Sequence, residues 1–209
     1  MADAALPRAR IAGLILAGGQ GSRMDQQDKG LVLLNGQPLV EHVADRLAPQ
    51  VGRLIISANR HQDRYADYGQ VVEDGEPALG AFQGPLLGIA AGLAAAAPAD
   101  WLVVVPCDTP FLPPDLAARL IGAARSAQAP LAYAAANGQR HSACMAVRPS
   151  LLPDLRAYLL GGDRKVGLWQ AGAGGVEARF DDTPDAFMNV NTPEELAAAA
   201  RYASQWRKS

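Results

Sequence analysis

The chain predicts an α/β fold built on a mainly parallel sheet. Short, wholly apolar runs end at glycine or at a carboxylate, as in "IAGLILAGG" and "WLVVVPCD". Over about the first 125 residues such runs alternate with segments of helical spacing, the pattern of right-handed βαβ units. Residues able to do chemistry (Gly18, Asn59, Asp74 and Asp108) fall where the expected strands end. Sheets of this class bind their ligands just beyond the carboxyl ends of the strands.

In order, "IAGLILA" reads as a buried strand. "PLVEHVADRLA" places Leu39, Val40, Val43 and Leu47 at helical spacing and is closed by Pro49. "RLIIS" is a second strand, and "VVEDG" a third that ends in carboxylates. "GPLLGIAAGLAAAA" enters a helix through Gly84 and Pro85 and stops before Pro98. "WLVVVPCD" is an apolar strand ending at Asp108, and "PPDLAARLIGAAR" is a helix with prolines at its start. "LAYAAANGQRHSACMAV" reads as two strands around an Asn137–Gly138 turn. "GGDRKVGLW" is a glycine turn followed by charge. "MNVNTPEELAAAARY" reads as a strand end and then a helix, with Thr192 as N-cap, Pro193 in the first turn and Glu195 completing a capping box. No repeat or low-complexity linker interrupts the chain, so a single domain over 1–209 is expected, its last third extending the sheet and walling the pocket.

Composition narrows the function classes. Of 209 residues, 49% are hydrophobic and 19% charged, enough for a substantial core. The net charge of −2 and pI near 5.9 argue against nucleic acid or an anionic membrane as main partner, so any phosphate site must be local. Cys107 and Cys144 fit neither a zinc pattern nor a disulfide framework, which suits a reducing compartment. The first residues lack the apolar core of a signal peptide, and the longest alanine-rich run is too short to span a bilayer. A soluble, cytoplasmic protein is expected.

The loop in "LILAGGQGSRMDQQDKG", Leu14 to Gly30, carries the chemistry. It is no dinucleotide fingerprint, because Gly19 and Gly21 are followed by Met24. It is no P-loop, because Asp28 precedes Lys29 and Gly30 follows it. The parts for an anion are nevertheless present. Glycines let backbone N–H groups approach closely, Arg23 offers a planar fork and Lys29 a point charge. Glycines and cations alone would also suit an ordinary solvated loop. The combination L-A-G-G-x-G-x-R-M followed by D-K-G resembles the signature of nucleotidyltransferases that consume a nucleoside triphosphate and release pyrophosphate. Asp108, at a strand end, suits Mg²⁺, which takes one or two protein carboxylates together with substrate phosphates. Alone it could equally be a helix N-cap, a role for which Asp115 competes.

The whole chain resembles the molybdenum cofactor guanylyltransferases. The matching pieces are "LAGGQGSRM", "DKGL", "LNGQPL", "ANRHQ", "EDG", "GPLLGI", "PCDTPFLPPDLAARL", "GDRKV" and "NVNTPEEL", in the family's order from residue 14 to residue 196. The resemblance implies a nucleotide-diphospho-sugar transferase fold, a three-layer α/β/α sandwich with a mostly parallel, mixed sheet. It implies a nucleotide-binding half over 11–125 and an acceptor-binding half over 126–200. It implies transfer of GMP from GTP to the terminal phosphate of molybdenum-molybdopterin, with Mg²⁺, and possible protein partners in cofactor insertion and delivery.

Site residues carry over by motif. Leu16, Ala17 and Gly18 correspond to the guanine and ribose contact, with Gly19 and Gly21 in the GTP loop. Lys29 matches the phosphate lysine, Asp74 a nucleotide-contacting aspartate and Asp108 the magnesium ligand. Arg23, Lys29 and Asp108 form the expected catalytic set. Asn189 and Asn191 match asparagines of the pterin side, which Arg140, Arg164 and Lys165 would also line. Ser57 stands where some members carry a nucleotide-contacting asparagine, and Asn59 is the expected substitute. Asp25 replaces a frequent glycine, and "QRHSA" replaces R-x-H-P around Arg140 and His141. Enzymes of the sibling group that use CTP tend to carry alanine at the position of Gly18, so "LAGG" favours GTP. Transfer needs no histidine base, because a phosphate monoester is already mostly dianionic at neutral pH. His42 is expected to pack or face solvent, and His61 is open to either role. The alternatives are CTP or another phosphorylated acceptor on the same fold, and a non-catalytic nucleotide-binding carrier.

Overall fold

The strands β1 (Ile11–Leu16), β2 (Leu33–Leu34), β3 (Gln37–Pro38), β4 (Arg53–Ser57), β5 (Gln70–Val72), β6 (Trp101–Pro106), β7 (Leu131–Ala136), β8 (Gln139–Val147) and β9 (Val176–Arg179) alternate with helices α1 (Leu39–Leu47), α2 (Gln62–Tyr65), α3 (Pro85–Ala95), α4 (Leu116–Ser126), α5 (Leu152–Leu160), α6 (Val166–Gly172) and α7 (Pro193–Trp206). The structure is a computed structural model that describes residues 6–17, 28–74 and 84–206. Seven strands form one sheet in the order β5-β4-β1-β6-β8-β7-β9, and β2 with β3 forms a separate small hairpin. β1 pairs in parallel with β4 and β6, β4 with β5, and β7 with β9. β8 runs antiparallel to both β6 and β7. This is the mostly parallel, mixed sheet expected from the sequence, and the last third of the chain extends it.

The directions matter for function. The carboxyl ends of β1, β4, β5 and β6 lie along one edge, and the antiparallel return of β8 brings the β7–β8 turn to that edge. Asn137 and Gly138 take φ of 49° and 75° there, the left-handed pair that a two-residue hairpin requires. Tyr133 pairs with Met145 but Ala134 pairs with His141, so β8 bulges through Ser142, Ala143 and Cys144.

Wholly apolar strands are buried on both faces, and their alternate residues feed two cores. Ile11, Ile15, Ile56, Val103 and Val105 pack against α1 and α4. Ala12, Leu14, Ile55, Leu102 and Val104 pack against α3, α5 and α6. Helix α3 has little polar surface and comes very close to β1. A Cβ on Gly92 would overlap Leu14 Cδ2 and stand 3.0 Å from Cδ1 and 3.1 Å from Cγ. Leu14 is fully buried and has nowhere to retreat. The missing side chain is what lets helix and sheet touch.

A third cluster lies apart from these two. Val32, Leu34, Leu39, Phe111, Val190 and Ala199 pack together, joined by Leu196 and Tyr202 of α7. It fastens the last helix to the β2–β3 hairpin and to the segment after β6. The capping box of α7 forms as read from the sequence. Glu195 N–H donates to Thr192 Oγ1 at 3.2 Å, and Thr192 N–H donates to Glu195 Oε2 at 3.1 Å.

One sequence expectation changes, and one alternative reading falls. "MNVN" is not a strand end: 188–191 is irregular and lies outside the sheet. A backbone bond runs from Val190 N–H to the Asp108 carbonyl, 2.9 Å. Asp108 is not the cap of α4, which begins at Leu116, and Asp115 makes no side-chain cap bond either. Gln50 does that work from a distance, its Oε1 accepting from Ala117 N–H at 2.9 Å.

Gly92→Ala adds helix propensity but forces a methyl into Leu14. Overpacking typically costs about 1–3 kcal/mol, which outweighs the propensity gain of about 1 kcal/mol. Chemical denaturation should find the variant less stable than the parent chain. Thr192→Ala should lower stability by about 1 kcal/mol through loss of the cap. An unchanged denaturation midpoint would mean that α7 is held by packing alone.

Candidate active site

At the end of β6 the chain emerges as Cys107, Asp108 and Thr109, buried on both flanks. Asp108 Oδ2 accepts from Lys29 Nζ, and the same ammonium donates to Asn191 Oδ1. These groups come from residues separated by 79 and 162 positions. The Asp108 side chain is 12% exposed and that of Lys29 24%. Burial at this level makes an unpaired charge costly, so each group depends on the other. Thr109 Oγ1 donates to Asn189 Oδ1 at 3.0 Å and lies 3.4 Å from Asp108 Oδ1.

The two asparagines reach the site because the residue between them is apolar. Val190 is fully buried in the third cluster. With Val190 pinned, Asn189 meets Thr109 and Asn191 meets Lys29. Glu195 completes the arrangement by accepting from Asn191 N–H at 2.6 Å. The capping box thus also fixes the backbone of a site residue.

A second constellation lies on the β4–β5 side of the edge. Asn59 and Asp74 form a reciprocal pair. Asn59 Nδ2 donates to the Asp74 carboxylate, and Asp74 N–H donates to Asn59 Oδ1 at 3.1 Å. Only one carboxylate oxygen is used in this pair, so acceptor capacity remains. Ser57 points elsewhere. It is buried, and a Cβ on Gly88 would lie 2.6 Å from its Oγ. Leu16 and Ala17 finish β1 between these groups. Ala17 N–H donates to the Ser57 carbonyl at 2.8 Å, and the Leu16 carbonyl accepts from Cys107 N–H at 3.0 Å.

The third group surrounds Arg140 at the start of β8. Its guanidinium lies over the Tyr133 ring, 3.6 Å from the centroid, and donates to Gln170 Oε1 at 2.7 Å. Gln170 is fully buried, and its Nε2 donates to the Ser142 carbonyl in the bulge at 2.9 Å. A buried amide thus orients an exposed arginine. Sequence reading missed Gln170, since a glutamine beside Trp169 in a helical run carries no signal of its own. His141 stacks on Phe187, centroids 4.6 Å apart, and burial lowers its pKa, so it is a neutral imidazole at pH 7. Arg164 turns toward the end of α5, donating to the carbonyls of Leu159 at 2.6 Å and Asp163 at 2.7 Å. Lys165 is exposed and serves as the N-cap residue of α6. His42 donates to or accepts from nothing chemical in the site. Its Nε2 meets the Leu34 carbonyl at 2.9 Å, a packing role. His61 is exposed and carries the left-handed φ of 48° that opens α2.

Gly18, Gly19, Gly21 and Arg23 lie outside the described residues. Among the described residues no group of three or more His, Cys, Asp or Glu side chains could hold a metal ion by itself. The donors around Lys29 Nζ are nonetheless all hard oxygens, one carboxylate and one amide. An ammonium held this way shows that the pocket stabilises a cation, and Mg²⁺ prefers the same oxygens. The residues present therefore fit a metal held by one carboxylate with substrate oxygens supplying the rest. Among the described residues no helix is long and apolar enough to cross a membrane.

Comparison with known proteins shows the family of the chain. A molybdenum cofactor guanylyltransferase from Burkholderia lata is 48% identical over 201 residues, covering 91% of this chain and 96% of its own. One from Shewanella putrefaciens is 45% identical over 186 residues, covering 88% and 93%. Among solved structures, molybdopterin-guanine dinucleotide biosynthesis protein A from Archaeoglobus fulgidus superposes with a TM-score of 0.74 at 22% identity, covering 93% of this chain and 99% of that one. A CMP:2-keto-3-deoxy-manno-octonic acid synthetase complexed with CTP gives 0.71 at 15% identity, covering 95% and 100%. These two share the fold, that of the nucleotide-diphospho-sugar transferases. Residues 13–173 match the family described as the MobA-like NTP transferase domain. With that match and relatives above 40% identity over most of both chains, the protein belongs to the molybdenum cofactor guanylyltransferase family.

Proposed function

We propose that the chain transfers GMP from GTP to the terminal phosphate of molybdenum-molybdopterin, yielding the guanine dinucleotide cofactor and pyrophosphate. The observation that carries this reading is the shared ammonium of Lys29, held by Asp108 and Asn191 where the parallel strands end. A phosphate oxygen of the acceptor attacks the α-phosphorus of GTP. The new P–O bond forms as the bond to the bridging oxygen breaks, and that electron pair leaves on pyrophosphate. The nucleophile is already anionic at neutral pH, so no base is required. Catalysis is then positioning and charge stabilisation.

Each group has a part in this scheme. Lys29 faces the phosphates and offsets the charge that develops on the leaving group, a part that the motif also gives to Arg23. Asp108 would hold Mg²⁺, which would supply Lewis-acid stabilisation of phosphate charge. Before substrate arrives, Lys29 and Asp108 neutralise one another, so neither waits as an orphan charge. Leu16, Ala17, Gly18, Gly19 and Gly21 admit the nucleotide, and Asp74, braced by Asn59, accepts from the guanine edge. Arg140 faces the anionic acceptor with Asn189 and Asn191, while Arg164 and Lys165 flank that side. Cytoplasmic residence and hand-over to partners of cofactor insertion and delivery fit an oxygen-sensitive, tightly held product.

Lys29→Ala and Asp108→Asn should each remain folded yet lower kcat by roughly 10²–10³, the usual cost of one charge-stabilising contact. The assay is pyrophosphate release under anaerobic conditions with molybdopterin, molybdate and magnesium, comparing GTP, CTP and ATP. Release with GTP alone is the expected result. Release with CTP would move the chain to the sibling activity, and GTP binding without release would favour a carrier or another acceptor. Full activity of Asp108→Asn would remove the metal assignment. Arg140→Ala should raise KM for the acceptor about tenfold, the scale of one charge-assisted hydrogen bond, and leave KM for GTP unchanged.

A further inference from the structure

Lys29 is flanked by two residues that the transfer scheme leaves unexplained. Asp28 and Gly30 both meet the same side chain, Tyr65 at the end of α2. The Tyr65 hydroxyl donates to Asp28 Oδ1. A Cβ on Gly30 would overlap that hydroxyl and stand 3.1 Å and 3.2 Å from two ring carbons, so the ring lies flush against the glycine. Tyr65 is completely buried. Burial, then the neighbouring Cys107 thiol and the Asp28 carboxylate, push its pKa up, so the phenol is a neutral donor at every working pH. Tyr65 and Cys107, the residue before Asp108, belong to one buried cluster. The side chain therefore touches the chain on both sides of Lys29.

The chemistry of the contact explains its value. Asp28 adjoins Lys29 in sequence and could compete with Asp108 for its ammonium. A neutral phenol occupies Asp28 instead, and Lys29 is left to Asp108 and Asn191. Leu31 N–H donates to the Asp28 carbonyl at 3.0 Å, closing the turn that displays the lysine. Glycine at position 30 is needed because any side chain would displace the ring. The three letters of "DKG" thus divide into one residue aimed at the site and two seated on Tyr65.

We propose that Tyr65 is a positioning residue for guanylyl transfer, fixing through Asp28 and Gly30 the turn that aims Lys29. This rests on the reading that Lys29 acts on the phosphates. A lysine displaced by the scale of an ångström would still attract GTP but would miss the charge that develops as pyrophosphate leaves.

The test is a double-mutant cycle on the full chain, reading kcat, KM for GTP and the thermal unfolding transition, with Lys29→Ala as control. Tyr65→Phe keeps the ring and removes only the hydroxyl. It should unfold cooperatively, with kcat down about tenfold and KM for GTP little changed. Asp28→Ala should do the same. The double variant should be no worse than the more damaging single, because both break one contact. If Tyr65→Phe does not fold, Asp28→Ala carries the same expectation alone. Full kcat in Tyr65→Phe beside an inactive Lys29→Ala would overturn the positioning role and leave the lysine's role intact. Additive losses, or a drop confined to unfolding temperature, would reduce Tyr65 to a packing residue. An active Lys29→Ala would remove both readings together.

Discussion

One ammonium shared between a carboxylate and an amide oxygen organises the functional end of this molecule. Lys29 comes from the turn after the first strand, Asp108 from the end of β6 and Asn191 from the approach to the last helix. Each element has its own packing, yet their meeting point is polar and largely withdrawn from water. Such a contact is held in place by surrounding structure more than by its own net energy, since desolvation offsets much of the attraction. The third apolar cluster supplies that support. By burying Val190 it delivers the asparagines on either side to Thr109 and Lys29.

The rest of the interior spends its polar groups sparingly. Among the described residues the buried polar or charged side chains are Ser57, Asp108, Thr109 and Gln170. Two are in the site, one orients Arg140 and one lies against α3 where β4 ends. Polar burial in this protein is therefore concentrated toward the edge where β1, β4, β5 and β6 finish. Antiparallel β8 is what brings Arg140 to that edge, because its first residues lie beside the end of its neighbour instead of at the opposite rim.

Much of this was legible in the sequence, for physical reasons. Apolar runs that meet glycine or aspartate mark the central strands because those strands are buried on both faces. Asn137–Gly138 and the Thr192–Glu195 box announce a turn and a cap because few other residues satisfy the same dihedrals and donors. Asp108 and Lys29 stood out through motif and charge. Tyr65 did not, because in "HQDRYADY" it is one of two tyrosines in a polar stretch and its contact is with a turn far away in sequence. Gln170 was hidden likewise. The segment around Val190 looked like a strand because an apolar residue between two polar ones satisfies a period of two. Its partner is a helix and a hairpin, and among the described residues it has no sheet neighbour to make it a strand.

The span between Lys29 and Asn191 has a consequence for synthesis. A nascent chain that has emerged through Asp108 already carries both members of the ion pair, but the amide oxygen of Asn191 arrives 83 residues later. At translation rates of about 5–20 residues per second, the delay is roughly 4–17 seconds. During that interval Val32, Leu34 and Phe111 lack the apolar cover that Val190 and α7 later provide. The centre is thus finished only when the last helix docks, and a ribosome-bound chain exposes an apolar patch beside a half-assembled site.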